Sequence, residues 1–288
     1  QQWYDGMIFK GTSNIDFLLK GLMQDSVSNP NLNLKIAIAN GTIAAKQFQD
    51  LPVENLQAIT ELNLPKLNPD SLKVNVTNFA FNLGKGFAKG KVLYQFPTFV
   101  DAAVDANLNI TQLWQTLAIS GMQLKGDLAL SGSAKGNYTT QQSINKQGVV
   151  TSKIIETPTF NVNAHWEKGY FKWTEMPLAI TDLSFNLNAE NTNGDYKNTF
   201  VDIQNIDLKA GDNFVKGRLK LDNLVDFNTD ADLRVYFELA DVKKIVPINE
   251  IDFGGQLTLD TKAKGRFNLN KNKIPNATVI VKLKNGFL

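Results

Sequence analysis

The sequence predicts an all-β protein: a curled antiparallel sheet of short strands in an internal repeat of about 127 residues, with one or two short helices. Three observations carry this. Apolar and polar residues alternate with period two through most of the 288 residues, as in strands with two unlike faces. Turn signals recur at short intervals between the alternating runs. Matched segments return in one order at nearly constant offsets, which is the mark of a repeat architecture.

The strands are the clearest element. Ala106, Leu108 and Ile110 alternate with Asp105, Asn107 and Asn109, and Ala231, Leu233, Val235 and Phe237 alternate with Asp230, Asp232, Arg234 and Tyr236. One apolar and one wet face is the pattern of an antiparallel sheet solvated on one side. Asn40-Gly41, Lys168-Gly169, Asn193-Gly194-Asp195, Ala210-Gly211-Asp212 and Asn285-Gly286 read as tight turns joining short strands. Helix is expected only over Thr111–Leu117 and Asp241–Val246, with Thr111 and Asp241 or its neighbour as N-caps and Pro247 ending the second. Residues 141–152, rich in Gln, Asn, Ser and Lys, read as an exposed loop present in one copy only.

The repeat is marked by glycines ten residues apart. Gly11 and Gly21 recur as Gly126 and Gly136, and again as Gly255 and Gly265. Leu128, Leu130 and Ala134-Lys135-Gly136 match Leu257, Leu259 and Ala263-Lys264-Gly265 at offset 129. Val76 to Phe81 matches Ile203 to Leu208 at offset 127, and Asp105 to Leu108 matches Asp230 to Leu233 at offset 125. The expected division is a partial repeat at 1–31, copies at 32–158 and 159–278, and the start of another at 279–288, all within one β body cut from a longer protein. Both copies also slip phase once. Val74 and Val76 share a parity that Phe79 and Phe81 do not, and Ile203 is followed out of phase by Ile206 and Leu208. A β-bulge at Asn78 and Asn205 would keep both halves on one apolar surface, and a short hairpin turn there is the alternative.

Chemistry leaves few marks. The formal charge is +2 with no basic block, so nucleic acid, which demands clustered Lys and Arg, is not expected as a partner. With no cysteine, disulfides and thiolate metal sites are excluded. No apolar run approaches the roughly 20 residues that span a bilayer as helix. His165, the sole histidine, has no second His or Cys to form a metal pair, and no G-x-S-x-G elbow accompanies it. The recurring carboxylates Asp101, Asp105, Asp226 and Asp230 lack the ligand spacing of a calcium loop. Gly84-Lys85-Gly86 reads as a turn, not a phosphate cradle. Neither enzyme activity, cofactor nor metal is expected.

What repeats is a face. Val201 to Asp212 followed by Val215 to Leu221, together with Gly126 to Gly136, resembles the AsmA-like family of Gram-negative bacteria, with its relatives TamB and YhdP. The resemblance implies a protein of the periplasm, tethered to the inner membrane by a segment absent here. It implies a β-groove whose apolar interior carries phospholipid acyl chains or another envelope lipid towards the outer membrane, with envelope proteins as further partners. The candidate groove face is Val74, Val76, Phe79, Phe81, Leu128, Leu130, Ile203, Ile206, Leu208, Leu257 and Leu259. The rival reading is an interaction scaffold whose apolar face closes on itself as a core, since both arrangements require the same parity.

Overall fold

The computed structural model describes residues 8–22, 29–44, 51–117, 121–144, 150–176, 178–224, 226–241, 254–267 and 274–287. Strand covers 77% of them, so the sheet carries the fold. The strands are β1 (Ile8–Lys20), β2 (Asn31–Ala44), β3 (Val53–Leu64), β4 (Lys73–Leu83), β5 (Gly86–Gln95), β6 (Phe99–Asn109), β7 (Met122–Asn137), β8 (Thr139–Ile144), β9 (Val150–Glu156), β10 (Thr159–Trp173), β11 (Ile180–Asn191), β12 (Phe200–Ala210), β13 (Asn213–Asp222), β14 (Asn228–Glu238), β15 (Gly254–Arg266) and β16 (Asn276–Phe287). The helix is α1 (Ile110–Leu117). Fourteen strands form one antiparallel sheet in chain order, and β8 and β9 pair separately as a hairpin.

The chain divides into two compact units, one of 1–108, 130–161 and 191–196, the other of 109–129, 162–190 and 197–288. In the first, β1 to β6 form a meander with consecutive antiparallel pairing. Its buried apolar side chains are Leu83, Ala88, Ala106 and Leu108, gathered near the β4–β5 turn. In the second, β11 to β16 pair consecutively in the same way, and Ile110 and Ala231 are the buried apolar residues. Burial demands partners for polar groups, which the buried Asn213 has and which Asp207 Oδ1 lacks among the described residues. Asn213 Nδ2 donates to the Ala210 carbonyl at 2.8 Å, and its Oδ1 accepts from the Glu238 N–H at 2.7 Å, tying β13 to the end of β14.

Most strands run to 10–16 residues, longer than expected. The reason lies in the Asn-Gly and Lys-Gly pairs. Asn40-Gly41, Lys168-Gly169 and Asn285-Gly286 sit inside β2, β10 and β16 as irregularities of the ladder, not as hairpin turns. Asn40, Lys168 and Asn285 all have φ near 52°. The glycine after each lies against a left-handed glycine of the neighbouring strand. A Cβ on Gly11, Gly126 or Gly255 would come within 2.8–2.9 Å of the Cα of Gly41, Gly169 or Gly286. Ten residues on, Gly21, Gly136 and Gly265 lie against Pro30, Pro158 and Pro275. Ala210-Gly211-Asp212 is a true turn between β12 and β13, and Gly84-Lys85 turns β4 into β5.

The phase slip is a bulge. The β4–β5 register shifts between Val76 and Phe79, and the β12–β13 register shifts between Ile203 and Ile206, while each strand runs on unbroken. Asn205 takes up the extra residue at φ 54°. The expected N-cap Thr111 is replaced by Asn109, whose Oδ1 accepts from the Gln112 N–H at 3.1 Å. A carboxamide three residues before that donor is the usual geometry of a cap. The Thr111 hydroxyl accepts from the Gly126 N–H instead. The second expected helix begins, with 239–241 helical, and its 242–246 lie outside the described residues. The expected loop at 141–152 belongs to the β8–β9 hairpin, whose 145–149 also lie outside them.

Candidate functional site

Register converts the alternation into rows. In the second unit Leu208 stands opposite Val215, Val215 opposite Val235, Val235 opposite Leu259 and Leu259 opposite Val281. A parallel row runs from Ile203 through Leu219 to Ala231 and Ala263, and Leu257 faces both Phe237 and Leu283. Ile206 stands opposite Gly217, so the bulge restores the face after the slip. In the first unit Val74, Val76, Phe79 and Phe81 oppose Tyr94, Val92, Gly90 and Ala88, which oppose Val100, Ala102, Val104 and Ala106. Leu128 and Leu130 share one side of β7, whereas Ser131 and Ser133 on the other are exposed. Within each unit the candidate residues therefore line a single side of the sheet.

All eleven candidates are half-buried, and none belongs to the buried core. A face enclosed by a second layer would bury such side chains almost fully, as in the interior of a sandwich. In the first unit Phe17 on its apolar side is 65% exposed, and in the second Val281 on its apolar side is 59% exposed.

The opposite side is charged and self-compensated. Cross-strand neighbours Lys216 and Asp207 meet at 2.8 Å, Arg234 and Asp260 at 2.7 Å, and Lys262 and Asp232 at 3.5 Å. The first unit repeats the arrangement with Lys89–Asp105 at 3.2 Å and Lys35–Glu61 at 3.1 Å. Exposed pairs of this kind are screened by solvent and salt. They set register and solubility more than stability. Hydrogen bonding from Lys135 holds the Asp101 carboxyl below the usual range, with Lys91 adding to the attraction, and hydrogen bonding from Arg234 does the same for Asp260. Sequence parity identified this face but not a depression of about 1010 Å³ on it, lined by Asp207, Lys216, Arg218, Asp232, Arg234 and Asp260. Its charges are already paired, Arg218 with Asp230 beside the depression and the others with one another or with Lys262.

Among the described residues no three His, Cys, Asp or Glu side chains converge as metal ligands. His165 lies on this charged side, half-exposed, with Nδ1 against the Asn186 carboxamide oxygen and Nε2 3.7 Å from Glu167. That is a cross-strand polar contact. His165→Ala is expected to leave the thermal midpoint and any ligand binding essentially unchanged, as measured by melting and by binding assays on the same preparation. Loss of a measurable turnover in that variant would contradict this reading. No described helix is long and apolar enough to cross a membrane, which says nothing of strands. No known protein family, characterised protein or solved structure matches this chain.

Proposed function

We propose that the apolar side of the sheet binds phospholipid acyl chains, and that the chain belongs to a non-enzymatic envelope protein of the AsmA-like kind. The carrying observation is that nine of the eleven candidate side chains stand in aligned rows, all but Leu128 and Leu130, and that all eleven stay half-buried. Apart from the small side chains of Ala88, Ala106 and Ala231, which are buried, these rows are only partly covered, and an apolar surface of this extent is unusual in a protein without an apolar partner. An acyl chain laid along it gains about 0.8 kcal/mol per buried methylene, so a dozen methylenes offset the loss of freedom on binding. The charged outer side keeps such a complex soluble.

The repeat is part of this proposal. What supports it is the close glycine pair that recurs at Gly11/Gly41, Gly126/Gly169 and Gly255/Gly286, and the register shift that comes before both Phe79 and Ile206. Repetition lengthens an apolar track without changing its width. Bulges and left-handed glycines are also the devices that curl a sheet, and a curl would turn the track into a groove. The family resemblance supports a place in the periplasm and a role in lipid transport and outer-membrane biogenesis.

The test is organic extraction of protein purified from a Gram-negative host, followed by lipid analysis. Phospholipid in near-stoichiometric amount is expected. Protein that carries none, and takes none up from vesicles, would leave the scaffold reading in its place.

A further inference from the structure

The charged side of the second unit holds the depression of about 1010 Å³, at the upper end of the range of about 300–1,000 Å³ found for small-ligand sites. It lies where two neighbouring ladders break. The β11–β12 register shifts on both sides of Ser184, and the β12–β13 register shifts between Ile203 and Ile206. Ser184, Asn205 and Asp207 line the depression beside these shifts. Bulges are over-represented next to functional sites, where they re-aim side chains. A second depression of about 570 Å³ shares the same three residues and continues to His165 and Lys168 on β10. The hollow is therefore elongated across the strands.

The charges around this hollow cancel. Lys216, Arg218, Arg234 and Lys262 are paired with Asp207, Asp230, Asp260 and Asp232. A charged ligand would be attracted by one member of each pair and repelled by the other. A hydroxyl is both donor and acceptor, so it can accept from the cation and donate to the carboxylate while the pair stays intact. Gln204, Asn205 and Thr261 add neutral donors and acceptors to the lining. Asp207 adds a demand of its own. Its Oδ2 accepts from Lys216 Nζ at 2.8 Å, while Oδ1 is buried without a partner among the described residues, a state that burial penalises. The terminal torsion of an aspartate is soft, so a small turn of the carboxylate brings Oδ1 to a donor in the hollow. From the cancelled charges and the orphaned oxygen we infer that the hollow binds a neutral oligosaccharide, whose hydroxyls bridge the ion pairs and donate to Asp207. The site lies on the side of the sheet away from the apolar rows, and it does not depend on lipid binding.

The test is calorimetric titration of the full chain with neutral hexasaccharides of α-linked glucose, β-linked glucose and β-linked N-acetylglucosamine. A heparin hexasaccharide and spermine serve as charged probes. At least one neutral hexasaccharide is expected to bind, with the same Kd at low and high salt, because no net charge is neutralised. Asp207→Asn and Asp260→Asn should each weaken it by about tenfold or more, the effect of losing a hydrogen bond to a charged group. Both side chains are partly exposed, so both variants should fold, as circular dichroism would verify. Asp105→Asn, which breaks the Lys89 pair in the first unit, should leave the affinity unchanged. Failure of every neutral hexasaccharide to bind at millimolar concentration, binding of heparin or spermine alone, or an affinity unchanged in both Asp207→Asn and Asp260→Asn would overturn the proposal.

Discussion

Gly217→Ala is expected to unfold the second unit or to cost it about 3 kcal/mol or more, the range of severe backbone and packing defects. Gly217 has φ +135°, where an L side chain is strained, and a Cβ there would enter the van der Waals shell of the Asp232 carbonyl across the β13–β14 ladder. Nothing in that contact can yield, because both parties are backbone in the middle of a sheet. Gly217 is also the residue opposite Ile206, where the ladder resumes after the bulge. Gly121→Ala is the control: φ is +82°, but the nearest atom is the Thr174 hydroxyl at 3.9 Å. Only the left-handed penalty of about 1–2 kcal/mol applies there. Urea melts followed by circular dichroism should separate the two variants clearly. Equal losses would mean that the close approach at Gly217 is not what fixes the bulge.

Leu208→Asp and Phe81→Asp are expected to remove bound lipid while leaving the protein folded. Each side chain is half-buried on the apolar side, so the carboxylate keeps part of its hydration in the empty protein. In a closed core the same charge would be unpaired and dry, and would unfold the protein. The comparison with Leu83→Asp is informative, because Leu83 is 1% exposed and lies in the buried core. Leu83→Asp should lower the melting temperature severely. Leu208→Asp and Phe81→Asp should lower it far less, yet lose co-purifying phospholipid. If all three unfold alike, the face at Leu208 and Phe81 is a core and the lipid proposal falls.

Some of this was legible in the sequence and some was not, for reasons that lie in the residues. Strand parity is local, so the apolar side of each strand, as at Leu208, Val235 and Leu259, could be read from alternation alone, whereas the rows they form needed the register. The odd step at Asn205 was visible because a slip in a period-two pattern has to be absorbed somewhere, but only the register decided between a bulge and a hairpin turn. Asn40-Gly41 misled because Asn and Gly tolerate left-handed φ equally in a two-residue turn and in a bulge. Only the pairing of β2 with β1 on one side and β3 on the other distinguishes the two. The β8–β9 hairpin was missed because Gln141, Gln142 and Ser143 are polar on both sides and leave no alternation to see. Asn109 was passed over as a cap because it also continues the alternation of β6. Whether the apolar side is covered is not a property of parity at all. It emerged from the half-burial of residues such as Ile203 and Leu257, which depends on what the rest of the chain packs against.

Lipid bound by this protein should meet only one side of the sheet. Adjacent positions on β14 answer this, because Val235 lies in the apolar rows and Arg234 lies among the ion pairs on the other side. A photoreactive phenylalanine analogue placed at each in turn, irradiated with protein as purified, reports the neighbour by the mass of the adduct. The prediction is a phospholipid adduct at position 235 and none at 234. Adducts of protein alone at 235, or lipid at both positions alike, would contradict it.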